Sequence, residues 1–104
     1  MALSGSFTGT GQSANVEIRG LFTLSLYGAG VGTVKIEKSY DNGTTWLDMH
    51  LDDLKTVASW SKLTGDEINP PPYLEPSAGD AYPVLYRLNC TAHSSGTISY
   101  RLGG

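Results

Sequence analysis

Along much of this chain, apolar residues fall at every second position. Asn15-Val16-Glu17-Ile18-Arg19 alternates with Val16 and Ile18 inward, and Gly20 ends the run. Phe22-Thr23-Leu24-Ser25-Leu26 alternates strongly. A period of two is what a strand with one buried face requires. Thr33-Val34-Lys35-Ile36-Glu37 places Val34 and Ile36 on one face, and Leu47-Asp48-Met49-His50-Leu51 places Leu47, Met49 and Leu51 on one face. Between these two runs, Asp41-Asn42-Gly43 supplies a turn. Asn and Gly tolerate positive φ, and an Asp side chain accepts bonds from the backbone just ahead of it. The pattern predicts a central hairpin, entered through Tyr27-Gly28-Ala29-Gly30.

Beyond a polar corner at Asp52-Asp53-Leu54, Thr56-Val57-Ala58-Ser59-Trp60 reads as a further strand. Val84, Tyr86, Leu88, Cys90 and Ala92 share one face of a later one, with Arg87, Asn89, Thr91 and His93 on the other. Ser94-Ser95-Gly96 reads as a turn into a last strand carrying Ile98, Tyr100 and Leu102, which predicts a second hairpin. From Leu63 to Pro83 the alternation is lost. Asn69-Pro70-Pro71-Pro72 and Glu75-Pro76 are expected to forbid regular pairing, because proline has no amide proton to donate. Residues 66–83 thus read as a long loop, either a rigid cover over a sheet edge or a docking surface formed with Tyr73 and Tyr82. Residues 1–13, small, polar and glycine-rich, read as a flexible arm or an edge strand. Seven or eight strands without helical periodicity imply an all-β fold, a single antiparallel β-sandwich of Ig-like or jelly-roll-like kind over 14–104.

Composition agrees. Thirteen glycines and six tyrosines in 104 residues suit short strands and tight turns. The net charge of −3 carries no basic cluster, which disfavours nucleic acid as a partner. No apolar run approaches a membrane span. Met1 to Gly5 lacks the basic start and apolar run of a signal peptide, so cytoplasmic synthesis is the expectation. The sequons Asn42-Gly43-Thr44 and Asn89-Cys90-Thr91 are accordingly read as coincidence. The single Cys90 offers neither an intrachain disulfide nor a zinc site, and on an inward face it reads as a small buried hydrophobe.

Candidate chemistry is sparse. His50 lies among Asp48, Asp52 and Asp53, a set with the composition of a hard-metal or acid–base cluster, but also that of a solvated corner, the reading adopted here. His93 stands beside Ser94 and Ser95 without a third group to orient it as a triad requires. No catalytic, cofactor or metal residue is therefore assigned. Trp46, Trp60 and the tyrosines have faces that can stack on sugars, although sheets are built from such residues in any case.

Three resemblances add to this. Ser39-Tyr40-Asp41-Asn42-Gly43-Thr44-Thr45-Trp46 matches the Asp box, Ser-x-Asp-x-Gly-x-Thr-Trp, a hairpin element of sialidases and many other β-rich proteins. One copy in so short a chain cannot build a propeller, so Ser39, Asp41, Gly43, Thr45 and Trp46 are expected as a structural turn; a hydrolase would need paired carboxylates flanking a cleft. Tyr86-Arg87-Leu88-Asn89-Cys90 after Ala78-Gly79-Asp80 resembles the tyrosine-corner region of Ig-like sandwiches. The chain as a whole resembles short β-rich proteins encoded among the virion genes of tailed bacteriophages and prophages. The resemblance lies in Ser6 to Ser13, in Phe22 to Gly28, in Val34 to Trp46 and in the ending Tyr86 to Leu102. The segment from Pro70 to Pro83 is longer and richer in proline than that group leads one to expect. The resemblance implies a non-enzymatic virion structural protein without a cofactor, a capsid decoration (cement) protein on the capsid surface. Its partners would be the major capsid protein and further copies of itself, as a trimer or dimer. Contacts are expected from residues 1–13 and 66–83, with Phe7, Gln12, Pro70, Pro71, Pro72, Tyr73 and Tyr82 as candidate interface residues. The alternative is a tail- or fibre-associated module that recognises host-surface glycan.

Overall fold

The structure, a computed structural model, describes residues 2–18, 20–51, 55–75 and 84–103. They form ten strands and no helix: β1 (Ala2–Phe7), β2 (Gly11–Gln12), β3 (Val16–Glu17), β4 (Gly20–Tyr27), β5 (Val31–Ser39), β6 (Leu47–Asp48), β7 (Ser59–Lys62), β8 (Tyr73–Glu75), β9 (Leu85–Ser95) and β10 (Ile98–Gly103). The first sheet has the order β1-β10-β4-β8. The second has the order β2-β9-β5-β6, with β3 also on β9 and β7 also on β5. All pairings are antiparallel.

The two sheets make a sandwich because each presents one apolar face. Phe22, Leu24 and Leu26 of β4 and Ile98, Tyr100 and Leu102 of β10 come from one side; Val34 and Ile36 of β5 and Tyr86, Leu88 and Cys90 of β9 come from the other. All are buried in one cluster. Within it the Phe22 ring lies 4.9 Å from that of Tyr86, and Phe7 lies 4.9 Å from Tyr100.

The second expected hairpin does not form. β9 and β10 belong to different sheets, and Gly96 carries the chain across from one to the other. β4 and β5 are related in the same way through Gly28 to Gly30. The two crossings lie against one another: the Gly30 amide donates to the Thr97 carbonyl at 2.8 Å. There is no room here for a side chain, since a Cβ on Gly30 would stand 2.5 Å from the Ile98 nitrogen. Lys62, at the end of β7 and 1 % exposed, closes this corner. Its ammonium donates to the carbonyls of Gly28, Gly30 and Leu63, the last two at 3.0 Å.

Ala92, expected inward, is exposed. Val34 faces Cys90 but Thr33 faces Ala92, so Thr91 is an extra residue in β9. Such a bulge reverses the parity of the residues that follow it, until a second extra residue, Ser94, shifts the register again before Ser95. Leu47, expected to share the inner face with Met49 and Leu51, is 48 % exposed, whereas Met49 is buried and Leu51 packs against the core. Leu47 pairs with Lys38, beyond Ile36, the last core residue of β5.

After Met49, whose amide still donates to the Ile36 carbonyl at 3.0 Å, the chain leaves β5 in a small hairpin held by Ala58 N–H to Met49 O and Leu51 N–H to Thr56 O, each 2.8 Å. It rejoins β5 at Ala58, whose carbonyl accepts from the Ile36 amide at 3.0 Å, and the strand expected over Thr56–Trp60 is displaced to Ser59–Lys62.

The termini and the proline stretch are more regular than their composition suggests. Residues 2–7, expected as an arm or edge strand, are an edge strand paired with β10 along their whole length. Within the proline-rich segment, Ile68 bridges Leu26 and Tyr73–Glu75 pairs with β4, leaving Pro70, Pro71 and Pro72 between two anchored points. The described part of the segment, up to Glu75, thus lies along the outer edge of β4. Asp52, Asp53, Leu54, Pro76, Ala78, Gly79, Asp80, Tyr82 and Pro83 lie outside the described residues.

Candidate functional site

The densest set of interacting polar side chains lies on the outer face of the second sheet. Alternation turns Lys35 and Glu37 of β5 outward, and likewise Arg87 and Asn89 of β9. Register then decides who meets whom. Glu37 faces Arg87 on one side and Asp48 on the other, and Lys35 faces Asn89.

Glu37 is only 7 % exposed although it lies on the outer side of its sheet. One carboxylate oxygen accepts from Arg87 Nε at 2.8 Å, and the other accepts from Asn89 Nδ2 at 3.3 Å. Lys35 Nζ stands 3.5 Å from the second oxygen and donates to Asp48 Oδ1 at 2.7 Å. The hydrogen bond to Asp48 raises the Lys35 pKa above its ordinary value, with burial opposing. Two cations and two anions thus hold one another, a network worth more than an isolated surface pair.

The turn between β5 and β6 reaches over this cluster. Asn42 and Gly43 both have positive φ, 61° and 90°, the pattern of a type I′ turn. The Thr44 amide donates to the Asp41 carbonyl at 3.4 Å. Ser39, fully buried, donates its hydroxyl to Asp41 Oδ1 at 2.8 Å and accepts from the Gly43 amide at 2.9 Å. Asp41 Oδ1 also accepts from the Thr45 amide at 2.7 Å. These bonds, the Thr45 amide first and then the Thr45 and Ser39 side chains, lower the Asp41 pKa to about 2. Trp46 follows directly, and its ring lies 4.2 Å from the Arg87 guanidinium carbon. The five turn residues are thus brought together, and Trp46 covers the cation that pairs with Glu37.

The expected interface residues do not share one surface. Phe7 is buried against Tyr100 at the end of β1. Gln12 is exposed in the second sheet opposite Asn89. Pro71 and Pro72 are exposed and Pro70 half-buried beside the first sheet, and Tyr73 packs on Phe22 at 5.9 Å between centroids. Tyr82 is outside the described residues. The two tryptophans are separated as well, since Trp60 packs against the core while Trp46 lies over Arg87 on the outer face.

His50 is exposed, while Asp48 turns to Lys35. His93 Nε2 stands 2.8 Å from the Gly96 carbonyl. The buried Cys90 thiol donates to the Ala92 carbonyl at 3.3 Å, and burial pushes its pKa up. Among the described residues, no three His, Cys, Asp or Glu side chains are placed to hold a metal ion, and no helix is long and apolar enough to cross a membrane.

Sequence reasoning placed Arg87 and Asn89 on the outer face but did not single out Glu37, Lys35 or the buried Lys62. The available signal was two charges at consecutive outward positions of β5 opposite a cation on β9. For Lys62 no local signal exists. Comparisons with protein-family models, curated proteins and solved structures return no match for this chain.

Proposed function

We propose that this chain is a non-enzymatic structural protein of tailed-phage virions, a decoration protein that binds the major capsid protein on the surface of the assembled head. The reading comes from the sequence resemblance, and one structural observation supports it. On the outer face of the second sheet, each carboxylate oxygen of Glu37 is hydrogen-bonded, one by Arg87 and the other by Asn89, with Lys35 beside it. A face whose side chains are already fixed loses little conformational entropy when a large partner covers it. The Lys62 corner adds rigidity where the chain changes sheets.

The test is binding to particles. Purified heads lacking the protein, incubated with the chain and sedimented, should retain it at a saturable, symmetry-related number of sites visible by cryo-EM. A chain that stays in the supernatant, and that is absent from purified virions by mass spectrometry, overturns the proposal. Selective binding on a glycan array would transfer the assignment to a tail or fibre module.

A further inference from the structure

The four sheet edges are not treated alike. At one end of the first sheet, β8 is three residues long and follows directly on Pro70, Pro71 and Pro72. In the second sheet, one edge is made of β2 and β3, two residues each and separated from one another. The other edge is β6 and β7, interrupted by the excursion between Met49 and Ala58. Short strands, prolines and interruptions are the devices by which sheets avoid adding further strands.

β1 has none of them. It runs for six residues in unbroken register with β10, from Ala2 opposite Gly103 to Phe7 opposite Ile98. Ala2-Leu3-Ser4-Gly5-Ser6-Phe7 contains no proline and no charge. Among the described residues it is the end strand of its sheet, so alternate N–H and C=O groups point outward along its length. A row of that spacing is matched by another extended strand.

We propose that β1 is a self-association edge, on which a second copy of this chain pairs its own β1 antiparallel about a two-fold axis. The two first sheets then join into one of eight strands, four from each copy. The sequence of β1 is self-complementary in this arrangement. With the axis at Gly5, Leu3 faces Phe7 of the other copy and Ser4 faces Ser6 of the other copy. Cross-strand partners point to the same face, so apolar meets apolar on the core side and hydroxyl meets hydroxyl outside. Leu3 is half-buried in the single chain and packs against the core, so a strand beside it covers the remainder. An axis at Ser4 or Ser6 would set Leu3 or Phe7 against Gly5 and lose that match. A two-fold axis also brings like residues near like, which a charged strand would resist and this one does not.

This inference does not depend on the virion assignment, because it is read on the isolated chain and the other on particles. Sedimentation is followed up to about 500 µM, since one strand pair makes a contact smaller than a standard interface. The native chain is expected to shift from monomer to dimer, with slowed hydrogen exchange in residues 2–7 as it does. Ser4 and Ser6 are exposed, so S4K/S6K is expected to keep the monomer fold by circular dichroism. It should weaken the dimer by roughly tenfold or more, because two like-charged pairs then face each other. Mixing it with S4E/S6E should restore a heterodimer. A native chain monomeric across the whole range overturns the proposal. So does a dimer indifferent to S4K/S6K, or a lysine–glutamate mixture that stays monomeric.

Discussion

The amide of Gly30 donates to the carbonyl of Thr97, 2.8 Å away and 67 residues along the chain, and so ties together two of the places where the chain changes sheets, β4 to β5 and β9 to β10. A Cβ on Gly30 would stand 2.5 Å from both the Ile98 nitrogen and the Thr97 carbonyl carbon. Backbone atoms cannot give way as a flexible side chain does. Gly30→Ala is therefore expected to destabilise the fold by about 2–3 kcal/mol through overpacking. Thermal unfolding followed by circular dichroism measures it, and a variant as stable as the native chain would mean that the crossings do not touch.

Lys62 supports the same corner from the side. The residue is 1 % exposed, and its ammonium donates to three carbonyls. Lys62→Met keeps the aliphatic stem and removes the donors. It leaves the buried Gly30 carbonyl and the partly buried carbonyls of Gly28 and Leu63 without this donor, and the expected loss is about 2–4 kcal/mol. Urea titration should show a lower midpoint with an unchanged slope, since the surface exposed on unfolding is the same.

Asp41 makes the turn sensitive to acid. Its carboxylate, held by the Thr45 amide and then by the Thr45 and Ser39 side chains, has a pKa lowered from 3.8 to about 2. A group whose folded pKa is depressed contributes stability that is complete above its unfolded value and is lost as pH falls through the folded one. Asp41→Asn removes that titration. It is expected to be less stable than the native chain at pH 6, with the difference narrowing between about pH 4 and pH 2. A difference constant across that window would mean that Asp41 is not held by these donors.

The strands most legible in advance were those whose side chains alternate without interruption. Phe22, Leu24 and Leu26, or Ile98, Tyr100 and Leu102, declare their inner face locally, because parity along a strand needs no knowledge of neighbours. The Ser39–Trp46 turn was legible for the same reason: its hydrogen bonds span four residues or fewer. What stayed hidden was long-range. Ser94-Ser95-Gly96 has hairpin composition, yet β9 and β10 go to different sheets, a choice made by which apolar faces need covering. Ala92 follows an extra residue that only the pairing with β5 exposes. Residues 2–7 have weak strand propensity, and it is β10 that supplies their ladder. Glu37 meets Arg87 across 50 positions of sequence, so the candidate site exists only once β5 and β9 lie side by side.

That pairing yields the last prediction. Arg87 holds Glu37 through Nε at 2.8 Å while its guanidinium lies under Trp46 at 4.2 Å. Arg87→Ala removes both contacts and leaves a mostly buried carboxylate short of a donor; the expected loss is about 2–3 kcal/mol. Arg87→Lys keeps the charge but lacks the planar group that stacks and bonds at once, so it should fall between the two. Glu37→Gln in the Arg87→Ala background removes the uncompensated charge. The double variant should then be more stable than the sum of the single changes predicts, by roughly 1–2 kcal/mol. Additivity in that cycle would show that the two side chains contribute independently, and that the outer face is not the locked unit on which the proposed docking role rests.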